Sequence, residues 1–227
     1  MLRLRPIRTT ERLDAWTRLL EGLGLVKALD LGHWAEFDSA HGRVALQRRS
    51  AADPAAGTTR LAFEVGDLDE FASRTREAGT GVVISESTRD RTAVIAGPDG
   101  LEILATDEKP RLEPAGPSLH VMPLWTTPDA AGAVKTLRDL GAKELAPNGD
   151  MVRLAAKNGG RVGVRAGSVN GLELSFEYNG DAFRLLDRLA DAGVPARVLE
   201  EPTGLTVHTA CPDGGPDLRI MGRPAVE

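Results

Sequence analysis

Charged side chains stand at every second position of several strand-like segments. Arg3 and Arg5 alternate with Leu2 and Leu4, and Arg60 and Glu64 flank Ala62 between Leu61, Phe63 and Val65. Farther along, Glu173, Ser175 and Glu177 alternate with Leu172, Leu174 and Phe176, and Asp217 and Arg219 alternate with Leu218 and Ile220. Strand geometry sends such sets to opposite faces, so the apolar residues pack against a helix layer and the charged ones share the other face. Opposite charges on neighbouring strands, Arg60 with Glu102 or Glu64 and Arg219 with Glu173 or Glu177, then do one of two things. They form structural ion pairs, or they orient a polar or anionic ligand, because a guanidinium fork matches a carboxylate or phosphate. The structural role is favoured for the first set. The ligand role is favoured for the second, where His120, Met122, Ser175 and Glu177 project to the same side.

Other chemistries find little support. No P-loop, dinucleotide glycine fingerprint or Gly-x-Ser-x-Gly elbow is present. The stretch Lys157-Asn158-Gly159-Gly160 suits a hairpin turn. Cys211 has no second cysteine to pair with and reads as structural. His33 and Trp34 follow a glycine on a short strand and suit the surface, His41 falls in a turn and His208 in a strand.

The elements that must position these residues recur along the chain. RLAFEVGDLDEF (60–71) reads as a strand followed by a helix with Asp67 at its N-cap and a stop at Ala78-Gly79. LELSFEYNGDAF (172–183) repeats it, with a stop at Ala192-Gly193. Thr10 is the expected cap of a helix from Glu11 to Gly22 whose apolar stripe includes Trp16. Pro6 to Thr10 matches Pro123 to Thr127, which sets Trp125 beside Arg8; Gly42-Arg43-Val44 matches Gly160-Arg161-Val162, and Pro98-Asp99-Gly100 matches Pro212-Asp213-Gly214. Matches in one order at near-constant spacing indicate an internal duplication. The proline-containing stretch 109–117 reads as a linker between domains spanning 1–108 and 118–227.

The chain has 227 residues and a net charge of -5, which argues against a nucleic-acid partner. No segment approaches membrane-spanning length, and one cysteine fits a reducing compartment. The expectation is a soluble cytoplasmic protein, monomer or homodimer, that meets a small molecule.

LAFEVGDLDEF (61–71), GPDGLEIL (97–104), the helix ending LEGLGL (20–25) and their second-half counterparts resemble the vicinal oxygen chelate superfamily, which includes glyoxalase, bleomycin-resistance and extradiol dioxygenase proteins. The resemblance spans nearly the whole chain. It implies an α+β fold of four βαβββ modules forming two glyoxalase-like domains, with curved mixed sheets around cupped pockets. It also implies a divalent metal held by a His on one module's first strand, a His on the next module's first strand and a Glu on that module's last strand. In the first domain those positions fall on Arg3, Arg60 and Leu104, and a guanidinium repels a cation. In the second domain they fall on His120, Glu173 and either Arg219 or, if the strand bulges, Asp217.

Two functions follow from the resemblance and these departures from it. The favoured one is a metal-independent small-molecule-binding protein of the glyoxalase/bleomycin-resistance type, with no cofactor and its pocket in the C-terminal domain. His120, Met122, Glu173, Ser175, Glu177 and Arg219 would line that pocket, and Arg60 and Glu102 the first cup. The alternative is a lyase, isomerase or dioxygenase using Fe, Mn or Zn held by His120, Glu173 and Asp217.

Overall fold

The computed structural model describes residues 1–86, 91–110, 112, 119–146, 149–202 and 204–222. Most of the expected linker, residue 111 and residues 113–118, lies outside the described residues. In the first half the elements run β1 (Leu2–Leu4), β2 (Ile7–Thr10), α1 (Leu13–Gly22), β3 (Val26–Asp30), β4 (Trp34–Asp38), β5 (Arg43–Arg48), β6 (Thr59–Val65), α2 (Leu68–Glu77), β7 (Val82–Glu86), β8 (Arg91–Ala96) and β9 (Glu102–Asp107). In the second half they run β10 (Leu119–Val121), β11 (Leu124–Thr127), α3 (Ala130–Asp139), β12 (Lys143–Glu144), β13 (Val152–Ala155), β14 (Arg161–Ala166), β15 (Gly171–Glu173), β16 (Phe176–Tyr178), α4 (Ala182–Asp191), β17 (Ala196–Glu201), β18 (Gly204–Thr209) and β19 (Leu218–Gly222). Strand, helix and three strands thus recur four times in a mixed α+β fold.

Adjacent modules pair. In the first half, β2 joins β6 antiparallel, β5 runs parallel to β2 and β9 parallel to β6, giving one nine-stranded sheet. In the second half the same contacts split into two five-stranded sheets, β10-β16-β19-β18-β17 and β12-β13-β14-β11-β15. The split follows the break at Leu174-Ser175: both halves interrupt their first strand, at Arg5-Pro6 and Met122-Pro123, but in the first half β6 runs unbroken from Thr59 to Val65 and joins β1 and β2 in one sheet.

One face of each sheet packs on helices. Leu2, Leu4, Leu61, Phe63 and Ile103 meet Trp16, Leu19 and Leu20 of α1 and Leu68 and Ala72 of α2 in a core that continues into the second half. Each such leucine, fully withdrawn from water, contributes about 1.5–3 kcal/mol. Asp67 caps α2 by accepting the Glu70 N–H at 2.8 Å. Helix α1 departs from expectation: it begins at Leu13, with Arg12 rather than Thr10 at the cap position. The Thr10 hydroxyl donates instead to Asp213, in the other half of the chain.

The halves join reciprocally. Asp213, in the Pro212-Asp213-Gly214 turn, receives Arg8 Nε at 2.8 Å, Trp16 Nε1 at 2.8 Å and Thr10 Oγ1. Asp99, in the matching turn of the first half, receives the Thr127 hydroxyl and the Asp129 N–H at 3.3 Å. Between these locks the hairpin at Asn158–Gly160 lies on β1: Leu4 N–H donates to Gly159 O at 3.0 Å and Asn158 N–H to Leu2 O at 2.8 Å. Gly160 has φ +88°, and a Cβ there would sit 2.4 Å from Leu4 Cβ. Beside it His41 and His120 form a parallel bridge and stack with ring centroids 3.9 Å apart. Among the described residues no helix is long and apolar enough to cross a membrane.

Candidate ligand site

The face of the first sheet turned away from the helices carries three zones, ordered by strand alternation. Along β6 the inward residues are Glu64, Ala62 and Arg60; along β9 they are Thr106, Leu104 and Glu102. The zone at Glu64 is a closed ion network. Arg43 grips Asp38 through two hydrogen bonds (2.7 and 3.0 Å) and reaches Glu36 at 2.9 Å and Glu64 at 3.1 Å. Arg3 Nε donates to Glu64 at 2.6 Å, and Arg5 donates to Glu36 at 2.8 Å and to Thr106 at 2.9 Å. All six charged residues are buried, three of each sign. Backbone carbonyls of Lys109 and Pro110 complete the shell around Arg3 and Arg43.

Burial pushes the Glu64 carboxyl above its ordinary pKa, against the pull of Arg43, Arg5 and Arg3. Burial would lower the pKa of Arg43, but the Asp38 hydrogen bonds and the charges of Glu64, Asp38 and Glu36 reverse that and hold it charged. The middle zone is apolar: Ile7, Ala45 and Ala62, with Trp34 and Leu104 packed on them. The third zone is the rim. Arg60 and Glu102, expected within this cup, are both exposed there, and Arg60 reaches Gln47 at 3.3 Å rather than Glu102 or Glu64. Register decides this, since Arg60 lies opposite Ile7, beyond the apolar patch.

The second half presents the same face with different residues. Arg161 of β14 stands where Arg43 stands in β5, and Glu177 stands where Glu64 does; Arg161 and Glu177 are again bonded. Arg153 takes the place of Glu36 and also binds Glu177, at 3.2 Å. Ala155, the cross-strand partner of Arg161, takes the place of Asp38, the partner of Arg43. His120 replaces Arg3 and Met122 replaces Arg5. Glu177 is buried, while Arg153 and Arg161 keep side-chain exposures of 11% and 16%. The Nε of Arg153 is buried without a hydrogen-bond partner.

The other predicted residues lie nearer the rim. Glu173 pairs with Arg219 at 3.3 Å, and Asp217 pairs with Arg197 at 2.6 Å. The Ser175 hydroxyl donates to Met122 O within the strand break. Glu173, Ser175, Asp217 and Arg219 line a crevice of about 220 Å³ that continues to Arg8 and Cys211. Burial pushes the Cys211 thiol up, which suits a structural residue. Trp125 is fully buried and donates to Asn170 at 2.9 Å. His33 is exposed, and His208 lies 3.1 Å from Glu201 within the second sheet face.

A divalent metal does not fit these side chains. The first-half positions hold two guanidinium groups and an alkyl chain. In the second half, β16–β19 register sets Arg219 at the third position, as β6–β9 register sets Leu104 there. Its guanidinium engages the carboxylate of Glu173, and Asp217 is turned to Arg197. His120, Glu173 and Asp217 do not converge: among the described residues no three His, Cys, Asp or Glu side chains form a metal-holding group. Arg43, Glu36, Asp38, Arg153 and Arg161 were not legible as site residues. A signal was present only for Arg43 and Arg161, in the Gly-Arg-Val repeat that places one arginine at the same spot in each half.

No protein-family model and no curated relative matches the chain. Solved structures do. A catechol 2,3-dioxygenase superposes with a TM-score of 0.62 at 17% identity, over 99% of this chain and 88% of its own. A Mn(II)-bound glyoxalase from Novosphingobium aromaticivorans gives 0.61 at 16%, over 98% and 81%. A homoprotocatechuate 2,3-dioxygenase from Brevibacterium fuscum, in complex with 3,4-dihydroxyphenylacetate, gives 0.62 at 12%, over 99% and 85%. Of a xylose isomerase-like TIM barrel/4-hydroxyphenylpyruvate dioxygenase fusion protein the chain spans about half (48%), with a TM-score of 0.64 at 13% identity. The protein thus has the four-module fold of the vicinal oxygen chelate superfamily.

Proposed function

We propose that this protein binds a small organic molecule in the cup of its second half without a metal, in the manner of a sequestering protein. The observation that carries the reading is the contrast between the cups. In the first, a network of three cations and three anions fills the zone between β1, β4, β5 and β6. In the second, uncharged side chains (Met122 for Arg5, Ala155 for Asp38) stand at two of the same positions, and two guanidinium groups share one carboxylate. An apolar lining with a few convergent polar groups is what a small-molecule site requires. His120, Met122 and Glu177 would line its floor and Glu173, Ser175 and Arg219 its rim, with Arg60 and Glu102 edging the first cup. The single cysteine accords with a cytoplasmic setting, as monomer or homodimer.

Thermal denaturation across a panel of aromatic and peptide natural products, with and without chelator, tests this. A ligand-dependent rise in Tm that EDTA leaves unchanged is expected. The metal-dependent lyase, isomerase or dioxygenase reading draws on the neighbouring dioxygenases and the Mn(II)-bound glyoxalase. One equivalent of Fe, Mn or Zn in the purified protein, lost in His120→Ala, would establish it instead.

A further inference from the structure

The two cups differ by a substitution set that changes their charge. In the first half Arg43 is saturated, with Asp38 bidentate on one edge of the guanidinium and Glu36 and Glu64 on Nη1. In the second half Arg161 keeps the Glu64 equivalent, Glu177, but Asp38 has become Ala155 and Glu36 has become Arg153. Among the described residues the balance shifts from three cations against three anions to two cations, Arg153 and Arg161, against one anion, Glu177. An unmatched guanidinium largely withdrawn from water is costly unless an anion reaches it.

We infer that the ligand of the second cup carries a carboxylate, and that this carboxylate docks on Arg161 in the place that Asp38 occupies on Arg43, with Arg153 as the second donor. The inference rests on the proposed ligand pocket and adds the chemical class of its occupant. Cross-strand geometry makes the docking position specific: Asp38 and Arg43 are direct partners on β4 and β5, Ala155 and Arg161 are direct partners on β13 and β14, and partners of this kind point to one side. Replacing aspartate by alanine removes the carboxylate that pairs with the guanidinium in the first half. A planar bidentate fork prefers a carboxylate to a neutral amide, and the charge-assisted contact corresponds to about a tenfold to hundredfold preference. Met122, where the first half has Arg5, offers a soft apolar wall for the rest of the molecule.

The test uses the full chain and matched probes: benzoate and phenylacetate against benzamide and phenylacetamide, titrated by calorimetry and by thermal shift. Acids should bind at least about tenfold more tightly than amides, and Arg161→Met should erase the difference. Ala155→Asp places the internal carboxylate of the first cup into the second; it should abolish acid binding and raise Tm above that of Ala155→Asn, which has the same size without the charge. Equal binding of acids and amides would leave the pocket standing and overturn the carboxylate assignment. Ala155→Asp no more stable than Ala155→Asn would overturn it as well, without any ligand being needed. If neither acids nor amides bind and the natural-product panel is also silent, the pocket itself falls.

Discussion

Arg43 and Arg161 occupy the same position in the two halves of the protein, yet Arg43 is held by three carboxylates and Arg161 by one. Arg43, ringed by acids, is a structural plug; under the proposed ligand reading Arg161, with its ring thinned, becomes a recognition group.

The plug should carry more stability than its counterpart. Arg43→Met leaves Asp38, Glu36 and Glu64 buried and short of a partner, and removal of one member of such a network costs about 3–5 kcal/mol. Arg161→Met should cost markedly less, because Arg153 still neutralises Glu177. Denaturant midpoints of the two variants, at constant slope, provide the comparison.

Asp213 is the anchor between the halves. Asp213→Asn strips the charge that holds Arg8 and the acceptor shared by Trp16, for an expected loss of about 3 kcal/mol. Asp99→Asn should cost about 1 kcal/mol, since its partners are an uncharged hydroxyl and a backbone N–H. A thermal transition that broadens or splits in Asp213→Asn but not in Asp99→Asn would match this difference; equal effects would contradict it.

Gly160 is required twice over, by its φ of +88° and by the nearness of Leu4. Gly160→Ala should destabilise by about 2–4 kcal/mol, combining backbone strain with overpacking. Adding Leu4→Val to Gly160→Ala should recover part of that loss, the part due to contact, as read by calorimetry.

The joint should also loosen in acid. Asp139 of α3 is partly desolvated, which raises its pKa, but hydrogen bonds from Lys135 and from Thr80 of the first half outweigh this and set it below the ordinary aspartate value. A carboxyl lowered on folding adds stability above its unfolded pKa and loses it as pH falls through the folded one. The contribution of Asp139 should thus be complete near neutrality and fade below about pH 4. Wild type and Asp139→Asn should converge in Tm across that window, and parallel curves would refute the assignment.

Much of this architecture was legible in the sequence. The Asp67 cap and the repeated Pro-Asp-Gly turns obey local rules, so the repeating units and the duplication could be read from the sequence, and the four-module arrangement followed from the family resemblance. The cup chemistry was less accessible. Alternation correctly marked Arg3, Arg5 and Glu64 as inward, but it cannot say how deep along a strand a residue sits, which is why Arg60 and Glu102 were expected inside and lie on the rim. Arg43 was noted only as part of a repeat, because Arg43–Arg48 looks like an apolar strand with a charge at each end, and its acids lie on β4 and β6. Thr10 does accept the Arg12 N–H at 2.9 Å, but the helix begins only at Leu13, and the same hydroxyl donates to the distant Asp213. Contacts between residues far apart in sequence decide these cases.

The exchange of turns between the halves has a consequence for the chain as a polymer. Each half keeps a contact that the other completes, Asp213 for Arg8 and Asp99 for Thr127. A peptide-bond break between Pro110 and Leu119 would therefore yield two fragments with matching surfaces, able to find each other in solution and reconstitute the fold by complementation.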